Sequence, residues 1–178
     1  VADGSSVYIY DFGLRYAVAS WSADKYSRAR DLFQDTFGAV WRGQAESDGF
    51  NALVLAGGLT WREVVVLRAY SKYLRQAGLT FSQEYVESCL VANVEIATSL
   101  VRLFEELFDP DRYDGRADAP ERVQRVDALT DEITHALDEV ASLDQDRILR
   151  ALLGVVRATL RTSFFQHDQH GQPHDYVA

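Results

Sequence analysis

The chain alternates between stretches in which apolar residues return every three or four positions and short polar or glycine-bearing breaks. That spacing lines apolar side chains along one face of a helix, so it predicts helices rather than strands. Tyr26, Ala29, Phe33, Phe37, Val40 and Trp41 mark a first helix that begins near Ser22 or Asp24. Asp48-Gly49 opens a short second helix, and Gly57-Gly58 closes it. The third covers roughly 61–77: Thr60 and Glu63 fit a capping box, and Val64, Leu67 and Leu74 with Val65, Tyr70 and Tyr73 form a broad apolar face. Gly78 is its natural stop. Ser82, with Tyr85, Val86, Cys89 and Leu90, begins a fourth helix, and Asn93 is placed to cap a fifth bearing Ile96, Leu100, Leu103, Phe104 and Leu107. The fifth ends before Asp109-Pro110, because the residue preceding a proline avoids the helical region.

Residues 109–119, DPDRYDGRADA, have charge, glycine and proline but no periodicity, and read as a loop. Pro120 suits the first turn of a helix carrying Val123, Val126, Ile133, Leu137 and Val140. Asp144 is a candidate cap for a last helix with Ile148, Leu149, Leu152, Val156 and Leu160. A short turn joins these two, which predicts an antiparallel hairpin. Only Val7-Tyr8-Ile9-Tyr10-Asp11-Phe12 has the β-branched and aromatic run of a strand. A lone strand has nothing to pair with, so it reads as the last strand of a sheet lying upstream. The fold class expected is all-α: a bundle of about seven helices ending in a long antiparallel helix hairpin, with one N-terminal β-strand left over from a preceding sheet domain. The corresponding divisions are 1–20 (strand and linker), 21–108 (helical bundle), 109–119 (loop), 120–165 (helix hairpin) and 166–178 (tail).

Composition narrows the setting. At 178 residues the chain suffices for one well-buried domain without a disulfide or metal to hold it. The net charge of −9 argues against nucleic acid or an anionic membrane as partner, and no apolar run approaches membrane length. The single cysteine, Cys89, lies on a helical pattern beside Leu90, which makes it a small core residue and agrees with a reducing, cytoplasmic setting. With no methionine anywhere and Val1 first, the sequence reads as an internal piece of a longer protein.

Candidate chemistry gathers in residues 40–78, where Trp41, Arg42, Glu46, Asp48, Asn51, Trp61, Arg62 and Glu63 lie close in sequence. Charges beside large aromatics need partners, so these eight residues are expected to form a structural polar cluster, with Arg42 and Arg62 pairing Glu46 and Asp48 across helices while the tryptophans pack. The same arginines are suited to a carboxylate ligand, which gives an alternative reading as a domain sensing an amino acid or anion near Arg42 and Arg62. A protein-interaction module is a further alternative, and the exposed pairs Arg68/Lys72 and Arg157/Arg161 could meet an acidic partner surface. His167, His170 and His174 with Asp168 and Asp175 lie in a polar tail without a packed shell to orient them, so no metal site is assigned. Gly57-Gly58 lacks the context of a dinucleotide site, and no catalytic or cofactor-binding residue is assigned either.

Several blocks together resemble a known family. VYIYDFGLRY, AVWRGQAESDGFNALVLAGGLTWREVVVLRAYSKYLRQAG, FSQEYV and LVRLFEELFDP are similar, in the same order, to the very large bacterial NAD-specific glutamate dehydrogenases. LLGVVRATLRTSFFQ resembles the lead-in to that family's catalytic region, whereas the residues from His167 to Ala178 depart from the usual continuation. The resemblance implies a helical segment between regulatory ACT-like modules and the catalytic domain. It implies a full-length protein that converts L-glutamate, NAD and water to 2-oxoglutarate, ammonia and NADH. NAD would bind outside this segment, and the partners would be the catalytic and ACT-like domains of the same polypeptide within a homo-oligomer. The expected role is a non-catalytic connector.

Overall fold

A computed structural model describes residues 23–116 and 118–167, with side chains from residue 26 onward. The expected strand at 7–12 and most of the tail lie outside the described residues. Among the described residues the fold is all-helical, with seven α-helices: α1 (Ala23–Trp41), α2 (Ala52–Gly57), α3 (Trp61–Gln76), α4 (Gln83–Ala92), α5 (Val94–Phe108), α6 (Pro120–Asp138) and α7 (Leu143–Ala158). A 3-10 turn, Gly49–Asn51, leads into α2, and a second at Tyr113–Gly115 separates α5 from α6.

Local chemistry sets several of these ends. Thr60 accepts from the Glu63 N–H at 3.2 Å while the Glu63 carboxylate accepts from the Thr60 N–H at 2.6 Å, completing the capping box of α3. Ser82 accepts from the Tyr85 N–H and caps α4, and Pro120 occupies the first turn of α6. Gly58 ends α2 at φ 66°, a left-handed conformation that glycine adopts without a Cβ clash. Two caps differ from expectation. Ser142, not Asp144, caps α7, accepting from the Gln145 N–H, and Asp144 lies within the first turn. Asn93 occupies the N-cap position of α5 without a side-chain cap bond: its amide donates to the Cys89 carbonyl and to Gln145, tying the α4–α5 joint to α7.

Helix α5 runs through the centre. Ile96, Ala97, Leu100, Val101, Leu103 and Phe104 are all buried, and α2, α3, α4, α6 and α7 pack around it. A helix apolar on several sides belongs inside a bundle rather than on its surface. From α3, Val64, Val66, Leu67 and Leu74 enter the same core, joined by Ile148, Leu149, Leu152 and Val156 from α7. Helix α6 lies mainly along α5, and α7 packs on α3, α4 and α5; contact between α6 and α7 is slight by comparison. The Arg150–Asp138 ion pair crosses their joint at 3.0 Å.

The apolar spacing misleads at three places. In α1, Leu32, Thr36 and Ala39 turn toward the bundle, while Tyr26, Phe33, Phe37 and Trp41 of the expected stripe point outward. In α6, Val123 is exposed, and Arg122 is buried one position before it. Leu160 lies beyond the end of α7 and is exposed.

Candidate functional site: the helical junction

The 40–78 corner contains a built polar site, but its cation is one that sequence reading had placed at the surface. Arg68, on the inner face of α3 and 3% exposed, grips the Asp48 carboxylate through two parallel bonds, Nε to Oδ2 at 2.7 Å and Nη2 to Oδ1 at 2.8 Å. Such a fork-on-carboxylate pair fixes direction as well as charge. Nη2 also reaches Asn51 Oδ1 at 2.9 Å, and Asn51 Nδ2 donates to the Glu46 carbonyl at 2.8 Å. The guanidinium lies 5.6 Å from the centre of the Phe50 ring. Asp48 thereby holds the turn that starts α2 onto α3. Gly49 lies beside it, and a Cβ there would crowd the carboxylate of the buried Glu87 on α4, which would have to move.

The other predicted cluster members separate. Glu46 pairs with Lys72 near the surface, not with Arg42 or Arg62. Arg42 folds back over Gly38 and donates to Gln44 at 2.9 Å. Trp41 does not pack into the corner: it is exposed at the end of α1. Trp61 is half-buried at the start of α3, with the Arg62 guanidinium 5.6 Å from its ring centre. Arg62 also donates to the Phe164 carbonyl at 3.0 Å and lies 5.0 Å from the Phe164 ring. Glu63 belongs to the capping box. Asp48 and Asn51 are thus brought together with Arg68, while Arg42 and Arg62 serve different parts of the chain. Arg68 carried a signal in its sequence position, one helical turn after the buried Val64, but its charge had suggested a surface place.

Arg62 begins a seam between α3–α5 and the segment that follows α7. Tyr70 Oη and Thr159 Oγ1 are 3.0 Å apart, and burial raises the Tyr70 pKa while the Thr159 hydrogen bond partly offsets that effect. Phe104 meets Phe164 edge-on, with ring centres 5.4 Å apart, and stacks with Phe165 at 5.9 Å. Nearer the start of α7, Asn93 bonds Gln145, and the Cys89 thiol faces the Gln145 carbonyl. Burial pushes that thiol up to about 11, so it remains protonated at neutral pH.

The 109–119 loop is more ordered in its bonding than its composition suggested. Arg112 spans Glu105, Glu106 and Asp109 at the C-terminal end of α5. Burial disfavours its charge, yet the Asp109 bond and the Glu106 and Glu105 carboxylates outweigh this and raise its pKa. Tyr113 and Asp114 take left-handed backbone at φ 54° and 52°, uncommon for residues with side chains. The Tyr113 hydroxyl is held by the buried Glu106 carboxylate. Buried Arg122 then donates to the Glu106 and Leu107 carbonyls, satisfying acceptors that the end of a helix leaves open. Glu105 has its pKa raised, first by burial and then by the charge of and hydrogen bond to Glu63, despite Arg112.

An open groove between the end of α3 and the start of α4 is lined by Lys72, Arg75, Gln76, Leu79, Thr80, Phe81 and Ser82. Its two cations already have partners, Glu46 for Lys72 and Gln83 for Arg75. Among the described residues no three His, Cys, Asp or Glu side chains gather as a metal set, and no helix is long and apolar enough to cross a membrane. His167 is exposed; His170, His174, Asp168 and Asp175 lie outside the described residues.

The fold and the junction together define an all-helical unit, in which carboxylates and arginines join helices to one another. Known proteins make the class particular. Residues 45–110 match the family model "Glutamate dehydrogenase, helical motif 3", and residues 132–178 match "Bacterial NAD-glutamate dehydrogenase, catalytic domain". The NAD-specific glutamate dehydrogenase of Pseudomonas aeruginosa is 41% identical over 176 residues, covering 99% of this chain and 11% of that protein. Those of Halomonas elongata and Mycobacterium tuberculosis are 37% identical over 177 residues and 41% over 167, covering 99% and 92% of this chain and 10% of each relative. The chain belongs to the bacterial NAD-glutamate dehydrogenase family, and it spans about a tenth of the length of these curated relatives. No solved structure matches it.

The catalytic-domain match starts at residue 132, inside α6, well ahead of the LLGVVRATLRTSFFQ block that the sequence suggested as lead-in. The seam made by Arg62, Tyr70 and Phe104 with Thr159, Phe164 and Phe165 therefore joins the two matched regions.

Proposed function

We propose that this segment is a non-catalytic connector of an NAD-specific glutamate dehydrogenase, seating the first part of the catalytic domain on a rigid helical base. The complete enzyme would oxidise L-glutamate with NAD and water to 2-oxoglutarate, ammonia and NADH, with NAD bound elsewhere in a cytoplasmic homo-oligomer. The observation that carries this reading is the seam itself: Arg62, Tyr70 and Phe104, within the helical-motif match, hold Thr159, Phe164 and Phe165, within the catalytic-domain match. A rigid seat is useful to catalysis because small misplacements of reacting groups are costly in rate. In this reading α6 carries the chain from the helical base into the catalytic domain, whose match begins within that helix.

The test is made in the full-length protein with Arg62→Ala and Tyr70→Phe. Hydrogen exchange at residues 159–166 should accelerate, and glutamate-dependent NADH formation should fall in kcat with little change in KM for NAD. Faster exchange at the seam with unchanged kcat and assembly would defeat the connector role. Lost activity with unchanged exchange would instead assign these side chains directly to the chemistry.

A further inference from the structure

The catalytic-domain match begins at residue 132, so among the described residues it takes in the second part of α6, the whole of α7 and the segment after it. These elements do not build a core between themselves. Contact between α6 and α7 is slight, and the Arg150–Asp138 pair across their joint has side chains 44% and 63% exposed. Each helix instead buries its apolar face on helices that precede residue 109. Ile133 and Leu137 enter the common core from α6, which lies along α5. Ile148, Leu149, Leu152 and Val156 enter it from α7, which packs on α3, α4 and α5, and all six side chains are at most 1% exposed. Hydrogen bonds fasten α7 at both ends, Asn93 to Gln145 at 3.2 Å and Tyr70 to Thr159 at 3.0 Å. Phe164, also buried, packs edge-on against Phe104.

We infer that residues 132–166 belong to one cooperative body with the helical motif, so that the joint at which the remainder of the catalytic domain moves against its base lies downstream of Gln166. Modules of one chain move relative to one another across small or polar interfaces, whereas a large apolar contact holds its parts together. Parting α7 from α3, α4 and α5 opens a continuous core at four fully buried aliphatic side chains and at Phe164. Hinges are loop or element-terminal residues, and the break at 139–142 between α6 and α7 is the short connection within this stretch. It does not serve as a hinge, because both helices it joins are fixed to the same core. The inference deepens the connector reading by saying how much of the matched catalytic domain is itself base, and it rests on that reading for a catalytic remainder.

Hydrogen exchange read by mass spectrometry on the full-length protein in rising urea, without substrates, tests it. Cooperative units of a native protein open separately, each with its own free energy. In the wild type, peptides from α3, α5, α6 and α7 are expected to lose protection at one urea concentration, and peptides downstream of residue 178 at another. Leu152→Ala, which removes part of the core beneath α7, should speed exchange in all four helices alike, by roughly tenfold or more, and leave the downstream peptides unchanged. Loss of α7 protection together with the downstream peptides, while α3 and α5 keep theirs, would overturn the inference. An effect of Leu152→Ala confined to α7 would do the same. A single transition for the entire protein would remove the joint and overturn it as well. Where Leu152→Ala does not fold, the wild-type profile decides alone. The connector reading is judged separately, by kcat in the Arg62→Ala and Tyr70→Phe proteins.

Discussion

Arg68→Ala is expected to be among the most destabilising surface-to-core charge deletions in this chain, although its partner sits only twenty positions earlier in the sequence. Arg68 and Asp48 have side chains 4% and 11% exposed and share two short bonds. Removing one member of a buried pair leaves the other desolvated and uncompensated, at a cost of about 3–5 kcal/mol. Asn51 Oδ1 also loses a donor, a contribution of about 1 kcal/mol. These effects share the same atoms and do not simply add, so the expected total stays at about 3–5 kcal/mol. For a chain of this size that corresponds to a fall in Tm of roughly 6–20 °C. Urea denaturation followed by far-ultraviolet circular dichroism measures it, with Asp48→Ala and the double variant completing a cycle. The coupling between the two sites should be at least about 1.5 kcal/mol, and Arg68→Met with Asp48→Leu should recover much of the lost stability. A loss below about 1 kcal/mol for Arg68→Ala, or strictly additive single variants, would refute the view that this pair fastens α2 to α3.

Three further outcomes are expected. Gly49→Ala should destabilise the chain by about 1–3 kcal/mol, since the new methyl group displaces the buried Glu87 carboxylate; Glu87→Ala in the same background should relieve the collision. Glu105 has a folded pKa raised by burial and by Glu63, so its contribution to stability is fully present below the unfolded glutamate value near ~4.3 and is lost as pH rises through the folded value. Glu105→Gln should therefore flatten the decline in unfolding free energy over that window, and an unchanged slope would assign the decline elsewhere. Cys89, buried and raised to about 11, should react with a disulfide reagent at pH 8 only as fast as the protein unfolds; rapid native-state labelling would contradict its place beneath α7.

Sequence order alone determined the helices and many of their ends, because the interactions that start and stop a helix span three or four residues. Thr60 with Glu63, Ser82 with Tyr85, Gly58 and Pro120 are legible for that reason. The buried faces of α3, α5 and α7 were legible too, since each carries enough apolar residues to be covered whatever its neighbours. Ordered blocks of sequence were sufficient to point to the glutamate dehydrogenase family.

Tertiary structure decided what periodicity leaves open, namely which neighbour covers a face and which charge meets which. The spacing in α1 is regular, yet packing on α2 and α3 selects the small Leu32–Thr36–Ala39 side and leaves the aromatic side outward. Asp48 lies nearer in sequence to Arg42 and Arg62, but only Arg68 emerges from the inner face of α3 at the height of its carboxylate. The Asn93 amide, at the start of α5, reaches Gln145, 52 positions away, and Arg62 finds the carbonyl of Phe164, 102 positions away. A bond closed over such a distance depends on the relative placement of whole helices, and that placement is set by the sum of the core contacts rather than by any residue's immediate neighbours.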